Sequence, residues 1–265
     1  MGKIKVKLLI YEIIYEFRYS YCILYIWGEK GMPTDTVEIA GWQKSSFIDF
    51  PGIVSTVLFL SGCNLRCPYC HNPGIVDGAF EPVSFDEVRE YIVKRGGVIE
   101  GAVISGGEPS IHNGLKGLRG ELKALGLKVK IDTNGLEPDV ITDCNPDYAA
   151  LDVKTSPEKY RLLNIPPKYN DIRERLRLSI DIVRKMGDSA EVRITAVPGI
   201  IDRDDIDCLA QELRGVKKVF IQQFEPAPLM LDPSYKSVKP YPTTELEVWR
   251  EIFIKAGIDC VVRGH

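Results

Sequence analysis

Several things are scarce in this sequence, and each scarcity excludes something. Seven cysteines in 265 residues are too few and too unevenly spaced for a disulfide framework. That favours a reducing compartment, and a cytoplasmic location is expected. Basic charge is not in excess: 34 Lys and Arg stand against 37 Asp and Glu, a formal charge of −3, so nucleic acid is not expected as a partner. Near the N-terminus the longest uncharged stretch, Tyr19 to Gly28, is about half the ~20 residues of a membrane span. Glu12, Glu16 and Arg18 interrupt the apolar run that a signal peptide requires. There is no Walker A loop, HExxH helix or Ser-His-Asp set, and no repeat, low-complexity tract or internal linker.

What is present falls into two parts. Residues 1–31 hold five of the twelve tyrosines, with many isoleucines and lysines. Two readings of this extension stay open: an added amphipathic element, or a start that precedes the true initiator, Met32. None of the candidate site residues lies in it. Residues 32–265 read as one domain, large enough to bury a real core.

Within that domain, β-rich apolar runs alternate with helical patterns. Strands are expected at Ser55–Leu60, Ala102–Ile104, Lys128–Ile131, Tyr148–Val153, Glu191–Val197 and Lys218–Gln222, with a last short one at Asp259–Val262. Helices are expected at Phe85–Lys94, Leu115–Leu125, Asp171–Lys185, Asp204–Leu213 and Thr243–Ala256. Ser84 and Glu87 have capping-box spacing, and Gly126, Gly187, Gly215 and Gly257 stand as helix stops. Six βα units imply a parallel sheet with right-handed crossovers, either an open doubly wound sheet or a barrel.

The unusual residues cluster just after the strands: SGCNLRCPYCHNP (Ser61–Pro73), SGGEP (Ser105–Pro109), DTNG (Asp132–Gly135), DVK (Asp152–Lys154) and QQFEP (Gln222–Pro226). The fifth strand carries Arg193 and ends in VPG. In parallel α/β folds the strand C-termini share one face, and that face carries the site. Six clusters should therefore converge on one pocket. An arginine inside an apolar strand needs an anionic partner, although strand alternation could also turn Arg193 outward.

Cys63, Cys67 and Cys70 form C-x3-C-x2-C. Three thiolates on one loop can wrap an iron–sulfur cluster, and because four cysteines are usual, three leave one iron open for chemistry. The competing reading is zinc in a non-catalytic module, with His71 as fourth ligand. Structural zinc sites usually draw on two separated ligand hairpins, and no second hairpin is present. Cys22, Cys144, Cys208 and Cys260 stand singly and are expected to be ordinary free thiols.

The C-x3-C-x2-C motif with Tyr69 before its third cysteine, followed by SGGEP after the next strand, resembles the radical S-adenosylmethionine (SAM) superfamily. GWQKSSFIDFPG (Gly41–Gly52), FLSGCNLRCPYCHNP (Phe59–Pro73), DTNG and DVK are similar to its activating-enzyme branch. The resemblance is greatest to the activating proteins of anaerobic ribonucleoside-triphosphate reductase and more distant to the pyruvate formate-lyase activating enzymes. It runs from about Ile39 to the C-terminus. It implies a partial (β/α)6 barrel, open on one side, and a [4Fe-4S] cluster on Cys63, Cys67 and Cys70. The cluster's open iron would bind SAM, whose reductive cleavage yields a 5′-deoxyadenosyl radical that abstracts hydrogen from a glycine of a large partner enzyme. Reduced flavodoxin or ferredoxin would be the electron donor.

The resemblance also assigns cofactor contacts. Gly106 and Gly107 would receive the methionyl amine, with Glu108 nearby. Tyr69 would lie against the adenine and His71 beside the cofactor. Asp152 and Lys154 would hold the ribose and carboxylate region, Asn134 would join them from the DTNG loop, and Arg193 would reach a carboxylate or the cluster. Asp132, Thr133 and Asp152 resemble a monovalent-cation site. The sequence departs from formate-lyase activases after the sixth strand, where Gln223 and Glu225 stand and no histidine does. That argues against formate-lyase as the partner and leaves the ribose contact unassigned. A radical SAM enzyme acting on a small molecule or modified nucleotide is the alternative.

Overall fold

The computed structural model describes residues 37–264; the extension at 1–31 lies outside the described residues. Eight strands form one sheet: β1 (Ile39–Ser46), β2 (Ser55–Leu60), β3 (Gly101–Gly106), β4 (Lys128–Thr133), β5 (Tyr148–Asp152), β6 (Ala190–Ala196), β7 (Lys218–Gln223) and β8 (Asp259–Arg263). Their order in the sheet is their order in the chain. Strands β2 to β8 run parallel, as crossover connections require. Strand β1 runs antiparallel to β2, and β1 and β8 do not pair, so the sheet is not closed into a barrel.

The helices are α1 (Pro73–Asp77), α2 (Phe85–Arg95), α3 (Leu115–Ala124), α4 (Pro138–Cys144), α5 (Ile172–Met186), α6 (Arg203–Glu212) and α7 (Thr243–Lys255). Alternating residues divide each strand between two environments. Leu58, Ala102, Ile104 and Val129 pack outward with Val88, Ile92, Leu118 and Leu122 of α2 and α3. Val192, Ile194, Val219 and Ile221 pack with residues of α5, α6 and α7, including Trp249 and Phe253. Val57 and Val103 face the other way, onto Phe50 and Tyr148 inside the curl of the sheet. Both faces are covered, which is why these strands read as continuous apolar runs.

Three local expectations change. Strand β1 was not foreseen. It lacks clean alternation and is held by its antiparallel ladder and by Trp42, whose indole N–H donates to Thr56 Oγ1 at 2.7 Å. Helices α1 and α4, five and seven residues long, are too short to show a periodicity. Ser84 does cap α2 by accepting from the Asp86 N–H, but Glu87 closes no box; the reciprocal capping box is Asp202 with Asp205 on α6.

Candidate active site at the strand C-termini

The C-terminal ends of β2 to β7 open into a cavity of about 340 Å³, within the ~300–1,000 Å³ range of small-molecule sites. The cysteine loop after β2 forms one wall and presents Cys63, Cys67, Tyr69, Cys70 and His71. The β3 end adds Ser105, Gly106, Gly107 and Glu108; the β4 end adds Asp132, Thr133 and Asn134. Asp152 and Lys154 follow β5, and Gln223 to Glu225 follow β7. Every site residue expected from the sequence lines this cavity except Arg193.

The two glycines do something other than make room for a ligand. A Cβ on Gly107 would stand 1.7 Å from the Gly62 carbonyl oxygen, and one on Gly106 (φ +118°) would stand 2.3 Å from Leu60 N. The strip is sewn to the cysteine loop by Gly107 N–H to Leu60 O and Glu108 N–H to Gly62 O, both 2.9 Å. The Glu108 side chain is buried and accepts four hydrogen bonds: from the Ser110 N–H and hydroxyl, the Thr133 hydroxyl and the Asn134 N–H. Burial raises its pKa even so.

Arg193 lies behind the cavity wall, bonded to two carboxylates. Its Nε donates to Asp152 Oδ1 at 2.6 Å and its Nη1 to Asp132 Oδ2 at 3.2 Å. Lys130 Nζ, also buried, sits 2.7 Å from Asp132 Oδ1, and Lys154 Nζ is 3.1 Å from Asp152 Oδ2. Two carboxylates thus meet three cations from the chain itself. Asp132 and Asp152, expected at a monovalent-cation site, are thus both paired with cations of the chain. Burial opposes ionisation of Asp152, but Arg193 and then Lys154 hold its pKa far below the usual carboxylate value. Burial likewise opposes the charge on Lys154, and Asp152 outweighs it, so the ammonium persists at the cavity wall.

The thiols suit a metal cluster that supplies its own positive charge. Burial pushes Cys63 up to about 12, helped by Glu108, and Cys67 up to about 11 against the pull of Lys154. Without a metal these thiols stay protonated at neutral pH. Among the described residues, no three His, Cys, Asp or Glu side chains converge as holders of one metal ion. Three thiols from one loop, all lining the cavity, are a donor set that would leave one iron of a four-iron cluster open.

Aromatic packing also holds the cysteine loop. The Tyr69 ring meets Phe224 and Tyr235 at centroid distances of 6.4 and 6.3 Å, and His71 stands 6.5 Å from Phe224. The chain after β7 also lies on this loop, with Leu231 N–H to Cys70 O and Asp232 N–H to Pro68 O. Leu65, Val76 and Thr195 line the cavity as well. Sequence reading missed them because apolar residues and a strand threonine carry no signal apart from packing. Cys144 and Cys260 are buried away from the cavity, and Cys208 is half-buried.

The Radical SAM superfamily model matches residues 57–210. A Methanocaldococcus jannaschii protein described as a glycyl-radical enzyme activating enzyme is 34% identical over 194 residues, covering 71% of this chain and 80% of that one. A Staphylococcus epidermidis pyruvate formate-lyase-activating enzyme is 29% identical over 207 residues, covering 70% and 78%. Among solved structures, a radical SAM methyltransferase from Sphaerobacter thermophilus superposes with a TM-score of 0.56 at 17% identity, over 81% of this chain and 67% of that one, a likeness of fold. A cysteine loop, a glycine strip and a lysine–aspartate pair around one cavity, with these relatives, lead to one conclusion: the chain belongs to the radical SAM superfamily, in its family of glycyl-radical-enzyme activating enzymes.

Proposed function

We propose that this protein generates a glycyl radical on a partner enzyme, and that the partner is an anaerobic ribonucleoside-triphosphate reductase. The observation that carries the reading is the placing of Cys63, Cys67 and Cys70 on one cavity wall, facing the Gly106–Gly107 strip and the Lys154 ammonium. The three cysteines would hold the [4Fe-4S] cluster, which with bound SAM supplies one-electron radical chemistry. The chain's own part is to bind and orient. Lys154, half-buried and paired on one side with Asp152, is the cation that would hold a carboxylate at this wall. The backbone after Gly106 would receive the methionyl amine, with Asn134 and Gln223 at the margins. The Tyr69, Phe224 and Tyr235 rings keep water from the cysteine loop. Arg193 acts from behind, fixing Asp152 and Asp132.

Support for the reductase comes from the Gly41–Gly52 and Phe59–Pro73 strings and from Gln223 and Glu225 where a formate-lyase activase has a histidine. The electron donor in this reading is a reduced flavodoxin or ferredoxin, and the setting is the cytoplasm; among the described residues no helix is long and apolar enough to cross a membrane. The test is electron paramagnetic resonance of the reduced protein mixed with SAM and the reductase. A doublet that needs both proteins and SAM is expected. SAM cleavage with no such signal, together with transfer of label to a small metabolite, would establish the small-molecule alternative instead. Cys67→Ala should lose iron, sulfide and activity together, whereas Cys144→Ala should keep all three.

A further inference from the structure

Two buried primary amides close a ring of hydrogen bonds at the cavity wall. Asn64, between Cys63 and Leu65, and Asn134, in the loop after β4, are both buried. Asn134 Nδ2 donates to Asn64 Oδ1 at 2.7 Å, and Asn64 Nδ2 donates to the Tyr169 hydroxyl at 3.1 Å. Groups at the two ends fix which way each amide points. At one end the Leu136 N–H occupies Asn134 Oδ1, which turns Nδ2 toward Asn64. At the other end Tyr169 gives its own proton to the Glu137 carboxylate at 2.7 Å, so it must accept from Asn64. Arg175 holds Glu137 in turn.

The ring runs through three of the loops that face the cofactor cavity, those after β2, β3 and β4. Gly62 O accepts from Glu108 N–H, Glu108 accepts from Asn134 N–H, and the Asn134 amide returns to Asn64, two residues from Gly62. Beside it the Leu65 N–H lies 3.4 Å from Cys63 Sγ. Resting on the cluster and SAM reading above, we infer that Asn64 and Asn134 are positioning residues: their clasp holds the thiolate loop to the loop after β4 and, through Glu108, braces the strip that receives the SAM amine. Neither residue carries charge; the clasp acts because both amides are buried and bonded to fixed protein groups.

The experiment is a SAM titration of the reduced, cluster-loaded protein followed by electron paramagnetic resonance, with circular dichroism and iron content as controls. Asn64→Ala and Asn134→Ala are each expected to bind the cluster but to need about tenfold more SAM for the spectral change. The double variant should be no weaker than the worse single, because either change opens the same ring. An unshifted titration in both singles overturns the inference, and so does a double variant whose shift is the product of the two. If an alanine variant lacks the native circular dichroism, Tyr169→Phe carries the test. It keeps the ring packing and removes the oxygen that Asn64 needs, so a shift of about threefold is expected and an unchanged titration overturns the inference. Absence of any cluster signal in the unaltered chain would defeat the cluster reading itself, and this inference with it.

Discussion

At the scale of single residues, the steric limits around Gly107 are the tightest in the site. Its neighbour is a backbone carbonyl at 1.7 Å from any added Cβ, and backbone cannot rotate aside as a flexible side chain can. Gly107→Ala should therefore displace the cysteine loop and cost more than about 3 kcal/mol, read as the shift in urea midpoint of the metal-free protein. Gly120, inside α3, has nothing within 4 Å of its Cβ position. Gly120→Ala should stabilise by about 0.5–1 kcal/mol through helix propensity. Equal losses in the two variants would refute the steric account. Arg193 makes a related point: its side chain is consumed by Asp152 and Asp132, so its contribution to the site is the fixed position of those carboxylates.

Elements are joined across the sheet by a few charged pins at strand ends. Asp147, just before β5, accepts from Lys123 Nζ of α3 at 2.8 and 2.9 Å and from the Val129 N–H of β4 at 2.7 Å. Partial burial opposes its ionisation, but the Lys123 and Val129 bonds outweigh this and lower its pKa. A carboxylate whose pKa is lower folded than unfolded stabilises above the unfolded value, near 3.9. That contribution is lost as pH falls through the folded value. Asp147→Asn should thus cost about 1 kcal/mol at pH 7, given the half-exposed setting. The difference from the unaltered chain should shrink as the pH is lowered below about 4, as measured by denaturant unfolding at a series of pH values. A difference that grows in acid would contradict the assignment.

On the scale of the whole molecule, β1 and β8 are the edge strands among the described residues and do not pair with each other, so the sheet is open on one side. An activating enzyme must admit a loop of a large folded partner, and loop entry carries a large ordering cost. The partner complex should accordingly be of modest affinity and strengthened by SAM. Every cavity-lining residue lies between Cys63 and Glu225, and β1 starts only at Ile39. A shortened chain beginning at Met32 is therefore expected to fold, take up iron and cleave SAM at the full rate. Iron content and methionine release would check this, and failure to fold would show that residues 1–31 belong to the core.

Sequence alone determined the parallel strands and the clusters that line the cavity, because both are written in local patterns. Runs buried on both faces announce β2 to β7, and the cysteine spacing, SGGEP, DTNG and DVK each sit on a few consecutive residues at a strand end, where the topology brings them together. Tertiary structure decided what depends on partners distant in the chain. The edge strand β1 is held by its ladder to β2. The two glycines serve backbone contact with a loop some 45 residues earlier. Arg193 turned to Asp132 and Asp152, 61 and 41 residues away, and left the cavity wall. The Asn64–Asn134 clasp spans 70 residues and has no local signature, since an asparagine in a loop reads as a turn residue until the partner that buries it is known.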